Sequence, residues 1–261
     1  MLKNLNKFAA LLFGGIVACT GTAIGATIIS DNFTGTNTAL LHGRAPTTSL
    51  PGGTWLSNGQ FGSGTISGNA AMLGGNGTTA VFDIASTGGY TKPTTIVISG
   101  DIRVNNIDGT YFGAPRGVGI GFMSTAPAQL NFNSFIGLSL RLDGVLQLMP
   151  SPNATTNAVA SGISGFSGNT SYKLSYTINT TTAAITSITL AGSSADFSSI
   201  ITASAGHFTN ANTRYAGIRA SAGSGTRNGF VDNFVVIPEP TMGGVIGIAA
   251  VGLLSRRRRM A

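Results

Sequence analysis

Side chains that perform acid–base or nucleophilic chemistry are scarce in this chain. Its 261 residues include seven Asp, two His, one Cys and a single glutamate, Glu239, which lies close to the C terminus. The histidines, His42 and His207, are 165 positions apart, and neither has a neighbouring series of metal ligands. A zinc site needs three or four ligands, and no Gly-x-Ser-x-Gly turn presents a nucleophile. We therefore predict that the chain has no catalytic residue and is not an enzyme.

Hard oxygen ligands near both ends of the chain would suit calcium. The tripeptide Asp-Asn-Phe occurs at residues 31–33 and again at residues 232–234. If the first and last strands pair, Asp31, Asp232 and the adjacent asparagines converge on a candidate structural calcium site. The alternative, which we favour, is that these groups hydrogen-bond the strand ends while the two phenylalanines enter the core. No other cofactor is predicted.

Aromatic side chains in glycine-rich loops are the candidate glycan-binding residues. Sugar recognition uses exposed aromatic faces with amides and carboxylates beside them. Trp55, Tyr90, Tyr111 and Phe112 lie in such loop segments. For Trp55, the only tryptophan, the stronger interpretation is that its ring fills the core.

The middle of the chain has the alternating pattern of half-buried β-strands. In residues 96–104 every second residue is apolar or glycine, and the intervening positions include Ser99 and Asp101. Residues 172–178 and 185–190 form a predicted hairpin around the polar turn 179–182. No stretch between the termini has sustained helical periodicity with caps. The pattern predicts an all-β fold of about ten to thirteen short strands in two packed antiparallel sheets, a sandwich or jelly roll.

A second predicted hairpin turns at Asp143-Gly144. Apolar residues recur with period two before this dipeptide, and residues 145–148 return after it. Asp-Gly favours the positive φ angles of a type I′ turn. Further predicted strands cover residues 27–33, 79–84, 118–123, 215–220 and 230–236.

The N terminus has the features of an export signal. Lys3 and Lys7 precede an apolar stretch at residues 8–18, and small residues follow through Ala26. We expect residues 1–26 to be removed as a signal peptide. An alternative is a permissive lipobox in which Cys19 carries a lipid. Removal of the signal peptide would leave a chain without cysteine and therefore without disulfides.

The C terminus combines a proline motif, an apolar run and a basic cluster. Pro238, Glu239 and Pro240 precede thirteen uncharged residues, 242–254. As a helix such a run covers about 20 Å of a ~30 Å hydrocarbon core, which alone is too short. Ser255 and snorkelling Arg side chains bring it near the lower limit for crossing a membrane. The prolines cannot continue a strand ladder, so the sheet is expected to stop at this motif. A stop-transfer cluster follows: Arg256, Arg257, Arg258 and Arg259.

This order of parts resembles the PEP-CTERM sorting signal of exopolysaccharide-producing Gram-negative bacteria, over residues 238–260. The resemblance implies that an exosortase, a membrane transpeptidase-like cysteine protease, reads Pro238, Glu239 and Pro240 and removes the tail. It also implies export through the inner membrane, transient anchoring there, and delivery to the cell surface or the extracellular matrix. The alternative is an ordinary tail anchor with an incidental Pro-Glu-Pro.

The segment between the two signals, residues 27–237, has a second resemblance. Residues 31–35, 52–55 and 229–236 look like the edges of concanavalin-like or laminin-G-like jelly rolls. That family implies terminal strands that lie side by side and a concave face or loops that hold a glycan. The Glu-x-Asp-x-x-Glu strand motif of concanavalin-like glucanases is absent.

The net charge of +7 comes mostly from the terminal segments. Six of the 15 Lys and Arg, and one of the eight acidic residues, lie in residues 1–26 and 238–261. The nine basic and seven acidic residues that remain form no basic run, so nucleic-acid binding is excluded. The sequence predicts an exported, non-catalytic, candidate glycan-binding protein whose partners are the export machinery, an exosortase and extracellular polysaccharide. A secreted polysaccharide-active enzyme is the alternative.

Overall fold

The computed structural model describes most of the segment between the two terminal signals. Its described residues are 26–58, 64–74, 78–87, 89–105, 110–111, 114–115, 117–125, 135–149, 159–160, 163–220 and 228–239. Thr27–Glu239 forms one compact unit. The predicted signal peptide, except for Ala26, lies outside the described residues, as do Pro240, the apolar run and the four arginines. Among the described residues, no helix is long and apolar enough to cross a membrane.

The first sheet is antiparallel and has eight strands. They are β1 (Ile29–Asp31), β2 (Thr48–Ser49), β4 (Thr65–Ser67), β5 (Ala70–Gly74), β7 (Thr95–Asn105), β14 (Ser171–Asn179), β15 (Ala184–Leu190) and β17 (Asn228–Pro238). The main path runs in the order β15, β14, β7, β17, β1, β2, and β5 pairs with both β17 and β4.

The second sheet is also antiparallel and has seven strands. They are β3 (Leu56–Asn58), β6 (Thr79–Asp83), β10 (Gly117–Met123), β11 (Phe135–Arg141), β12 (Leu146–Met149), β13 (Val159–Ala160) and β16 (Tyr215–Ala220). Their order in the sheet is β13, β12, β11, β10, β16, β6, β3. A separate two-stranded pair consists of β8 (Thr110–Tyr111) and β9 (Ala114–Pro115).

The two sheets pack face to face on one hydrophobic core. The core contains fully buried residues of both sheets. Examples are Ile98 and Leu174 of the first sheet and Ile120, Leu138 and Ile218 of the second. In β7 burial alternates at every residue, which is the period-two pattern that the sequence displays. The prediction of an all-β fold with two antiparallel sheets is confirmed, and the described ranges hold more strands than expected because several are only two or three residues long.

The hairpin between β11 and β12 forms where it is predicted, but its turn is of another type. The Gly144 N–H donates to the Arg141 carbonyl at 3.0 Å, and the Arg141 N–H donates to the Val145 carbonyl at 2.9 Å. Only Gly144 has a positive φ, of 78°, and Asp143 does not. The type I′ prediction is therefore wrong. The turn instead has a single left-handed glycine, as in a type I turn followed by a bulge.

The first and last strands pair, as the repeated Asp-Asn-Phe tripeptide indicates. Ile29 lies opposite Val236, and Asp31 lies opposite Phe234. The strand β17 continues through Pro238, which lies opposite Ile96. The strand therefore ends at the first proline of the motif, although Pro238 itself is still paired. A proline is tolerated because position 238 directs its nitrogen away from β7, on the side where β1 has already ended.

One short helix, α1 (Ser198–Ala203), interrupts the strands. The sequence predicted no helix, and six residues are too few to give a helical hydrophobic period. Its buried Ile200 packs into the core. Ser204, just after the helix, accepts the N–H of Ile185 at 2.8 Å through its hydroxyl. The residue after the helix therefore accepts a hydrogen bond from a backbone N–H at the outer edge of β15.

Candidate functional site

Trp55 lies inside the core and offers no face to a ligand. Its side chain is fully buried. Its ring centroid lies 5.6 Å from those of both Phe33 and Phe234, at the edge of the first sheet, and 6.2 Å from that of Phe82 in the second sheet. The prediction that Trp55 stacks on a sugar is wrong. The alternative interpretation, in which this ring fills the core between the sheets, is confirmed.

The buried carboxylate of Asp31 is fully used by protein donors. The Trp55 indole N–H donates to its Oδ2 at 2.7 Å, and Arg44 forms an ion pair with the same oxygen. The other oxygen, Oδ1, accepts the Phe33 N–H at 2.9 Å and the Thr47 hydroxyl at 3.4 Å. A guanidinium thus already balances the charge of Asp31. This arrangement favours the alternative interpretation, strand-end hydrogen bonding, over the calcium site predicted at Asp31 and Asp232, which stays a prediction.

Of the other three predicted aromatic residues, Tyr90 is the one whose side chain the structure describes. Tyr90 is half-buried, its ring packs against the main core, and its hydroxyl is buried. Burial raises the pKa of this hydroxyl far above its usual value. Tyr111 is the second residue of β8, and Phe112 lies outside the described residues.

The outward face of the second sheet carries a small buried apolar cluster. Four apolar side chains on this face are at most 7% exposed: Val81, Met123, Phe135 and Tyr215. A small cavity on the same face has a volume of about 10 Å³, roughly the room for one water molecule. It is lined by Gly117, Gly119, Phe135, Ser139, Met149 and Arg219.

The outward face of the first sheet, in contrast, is open and polar. Its strands place one residue each in a line that crosses the sheet. Ser99 lies opposite Ser175 on one side and Val235 on the other. The line extends by one strand beyond Ser175 and by two strands beyond Val235. We call this line the hydroxyl row: Thr189, Ser175, Ser99, Val235, Ser30 and Thr48.

The hydroxyl row consists of five hydroxyl side chains and one valine, without a charge. Thr48 and Thr189 are exposed and the other four residues are partly buried, whereas flanking residues such as Leu174 and Ile98 point into the core. At about 4.8 Å per strand, the row is about 24 Å long. Within the described part of the chain, none of its five hydroxyls makes a hydrogen bond. The hydroxyl of the neighbouring Ser187, off the row, donates to Thr177 at 2.9 Å.

A charged row runs beside the hydroxyl row, two residues further along β7. Lys173 lies opposite Asp101, and Asp101 lies opposite Asp232. The Asn233 side-chain amide donates to Asp101 Oδ2 at 2.8 Å. Burial raises the pKa of Asp232, and the charges of Asp101 and Asp31 add to this effect, while a hydrogen bond from the Asn233 N–H opposes it.

The aromatic ring nearest this charged row is covered. Phe230 is only 7% exposed, and the Arg103 guanidinium lies over its ring, 4.1 Å from the centroid. A sugar therefore cannot stack on Phe230 unless Arg103 moves. The groups that this face offers to a partner are hydroxyls, carboxylates and amides.

Neither histidine belongs to a catalytic arrangement in the described ranges. His42 is exposed, and its Nδ1 accepts the Ser57 backbone N–H at 3.3 Å. His207 is half-buried, and its Nδ1 is a buried atom without a partner. Across the described residues, no group of three or more His, Cys, Asp or Glu is placed to hold a metal ion.

Two of the three predicted sorting residues lie at the end of the first sheet. Pro238 is the last residue of β17, and the side chain of Glu239 is exposed. The Glu239 backbone N–H donates to the Thr95 carbonyl at 3.1 Å. The motif thus starts inside the sheet.

No protein-family model matches the chain, and no curated protein matches it either. Among solved structures it is similar to the receptor binding domain of botulinum neurotoxin C/D mosaic serotype, with 11% identity and a TM-score of 0.47 over 87% of this chain and 51% of that one. It is also similar to the carbohydrate recognition domain of Emp46p, with 10% identity and a TM-score of 0.43 over 70% and 87% of the two chains. A sialidase matches with 12% identity and a TM-score of 0.43 over 70% of this chain, which spans only 16% of the sialidase.

Proposed function

We propose that this protein is an exported, non-catalytic component of the cell surface or extracellular matrix that binds an uncharged polysaccharide along the hydroxyl row. The observation that carries this proposal is the line of five hydroxyls across the outward face of the first sheet, none of which hydrogen-bonds another described residue. Each of them can donate and accept a hydrogen bond, as can each hydroxyl of a sugar.

The row suits an extended polymer better than a small molecule. It lies on an open face rather than in a pocket, and its length of about 24 Å matches several consecutive sugar units rather than one. Ser and Thr lose little side-chain entropy on binding, and the sheet holds them at a fixed spacing. Several weak contacts along one chain add up to a useful affinity.

The absence of charge along the row favours a neutral ligand. An anionic polysaccharide would need several Lys or Arg side chains, and this face has Lys173 and Arg103 beside the acidic Asp101 and Asp232. Binding to a neutral polymer does not depend on ion pairs, so added salt should not weaken it.

The experiment is co-sedimentation of the chain, purified from the secreted fraction, with insoluble neutral and insoluble anionic polysaccharides at low and high salt. Retention on a neutral polymer that persists in high salt supports the proposal. Retention on the anionic polymer alone, lost in salt, would contradict it.

A polysaccharide-cleaving enzyme is the second candidate function, and one observation favours it. Asp101 and Asp232 lie opposite each other on neighbouring strands, and the raised pKa of Asp232 suits a general acid. The open face, which does not exclude water, argues against this role. Release of reducing sugar that disappears in Asp232→Asn would establish the enzyme and refute the non-catalytic proposal.

The sorting part of the proposal rests on the termini. Support comes from the ordered combination of Pro238, Glu239 and Pro240 with an apolar run and four arginines, and from the export signal at the other end. Release by an exosortase would leave the sandwich outside the cell. Mass spectrometry of the secreted chain tests whether the tail is removed. A mature protein that still carries Arg256 to Arg259 would contradict the processing hypothesis.

A further inference from the structure

We propose that the sandwich holds its own sorting motif in the first sheet, so that the end of β17 must separate from β7 before the tail is processed. The inference rests on the sorting function proposed above. It adds a conformational step that the order of residues in the motif does not reveal.

The structural basis is the pairing at the end of β17. Pro238 lies opposite Ile96, one residue inside the start of β7. The Glu239 N–H then donates to the Thr95 carbonyl at 3.1 Å. Two of the three motif residues are therefore part of the backbone ladder rather than of a free linker.

The partner strand is itself fixed at this point. On its other side, Thr95 lies opposite Asn179 of β14. The preceding residue, Thr94, accepts hydrogen bonds at its carbonyl from both the backbone N–H and the hydroxyl of Thr180, at 2.7 and 3.1 Å. Because β7 is held from the β14 side, β17 is the element that can separate.

A protease that binds its substrate in an extended form needs the substrate's backbone N–H and C=O groups. In the folded chain the Glu239 N–H is already occupied, although its side chain is exposed. Only Pro240 and Thr241 lie between Glu239 and the apolar run that begins at Met242. Two residues extend over about 7 Å, so the motif lies close to both the sheet and the apolar run. A protease can bind the motif in an extended form only if the end of β17 opens.

Opening is feasible because it involves the terminal pairs of one strand. Strand ends open locally at far lower free energy than global unfolding requires. The folded sandwich would thus slow recognition without preventing it, and the rate of opening would contribute to the rate of sorting.

The test lengthens the connection in the full chain, expressed in a bacterium that has an exosortase. A Gly-Ser-Gly-Ser insertion between Ile237 and Pro238 moves the intact motif out of the ladder. The matched control places the same four residues after Gly206, in an exposed turn. Apart from Gly206 and its two chain neighbours, no described residue lies within 4 Å of the position that a Cβ would occupy there. Thermal unfolding verifies that both variants fold.

Pulse-chase labelling then follows loss of the tail. We expect the insertion before Pro238 to be processed several-fold faster than the wild type, and the insertion after Gly206 to behave as the wild type. Equal processing rates for all three chains would overturn the inference while leaving the sorting function intact. If no chain loses its tail, the sorting function itself fails, and the inference fails with it.

Discussion

The indole N–H of Trp55 donates a hydrogen bond of 2.7 Å to the buried carboxylate of Asp31, which also forms an ion pair with Arg44. Asp31 is the last residue of β1, while Trp55 packs against both sheets. The contact therefore joins the first strand to the centre of the core. Asp31 and Trp55 are each a candidate ligand-binding residue from the sequence. In the structure both are buried and bind each other.

We predict that Asp31→Asn destabilises the protein by about 3 kcal/mol, the lower end of the cost of breaking a buried ion pair. The amide keeps the shape of the side chain but leaves Arg44 without its counter-charge. Chemical denaturation of the full chain measures the change. The control is Asp143→Asn, which removes the exposed partner of Arg141 and should cost less than about 1 kcal/mol. Equal effects of the two substitutions would contradict the anchoring role of Asp31.

The fluorescence of Trp55 should not respond to polysaccharide. As the only tryptophan it reports one site, and its complete burial predicts blue-shifted emission with little quenching by acrylamide. Addition of a bound neutral polysaccharide should leave both properties unchanged, because the hydroxyl row lies on the opposite side of the first sheet from the core. A ligand-induced shift or a protection from quenching would instead indicate that the sugar reaches the ring.

The raised pKa of Asp232 predicts a specific pH dependence. The folded state binds the proton more readily than the unfolded state, so this residue's contribution to stability grows as pH falls from above its folded pKa toward the unfolded value. Replacing it by Asn should therefore stabilise the protein at pH 7, because it removes a partly buried charge and its like-charge neighbour. Solvent screening keeps this gain below about 1 kcal/mol.

The control for Asp232 is Asp196→Asn, for which the sign is reversed. Hydrogen bonds from the Ser198 backbone and hydroxyl lower the pKa of Asp196, so its ionised form stabilises the fold above the unfolded pKa and that gain is lost in acid. Denaturation curves at pH 7 should show Asp232→Asn gaining stability and Asp196→Asn losing it. A loss for both would contradict the unfavourable environment assigned to Asp232.

The fold could be predicted from the sequence where local pattern alone decides it. Alternation in residues 96–104 and in the later hairpin places the correct side chains inside, and the paired Asp-Asn-Phe tripeptides indicate that the terminal strands meet. The turn type at Gly144 could not be predicted, because Asp-Gly is compatible with more than one backbone path. The prolines indicate where β17 ends, but the pairing of Pro238 with Ile96 could not be predicted, since it depends on which side the proline nitrogen faces.

The hydroxyl row could not be predicted from the sequence either, because it also depends on contacts between distant parts of the chain. Ser99 and Ser175 each stand at outward positions of their own strand, but their alignment depends on register between strands 76 residues apart in the chain. Register depends on the whole sheet and has no local signal. Similarly, the partners of Asp31 come from 13 and 24 residues away, so their convergence on one carboxylate is a property of the fold.

The most direct test of the hydroxyl row removes its two central hydroxyls. The double variant Ser99→Val and Ser175→Val keeps residues that favour strands, and the control Ser171→Val alters the same face of β14 outside the row. Affinity for an insoluble neutral polysaccharide, measured by depletion from solution, should fall at least several-fold in the double variant and stay at the wild-type value in the control. Unchanged binding by a folded double variant, or an equal loss in Ser171→Val, would contradict the account.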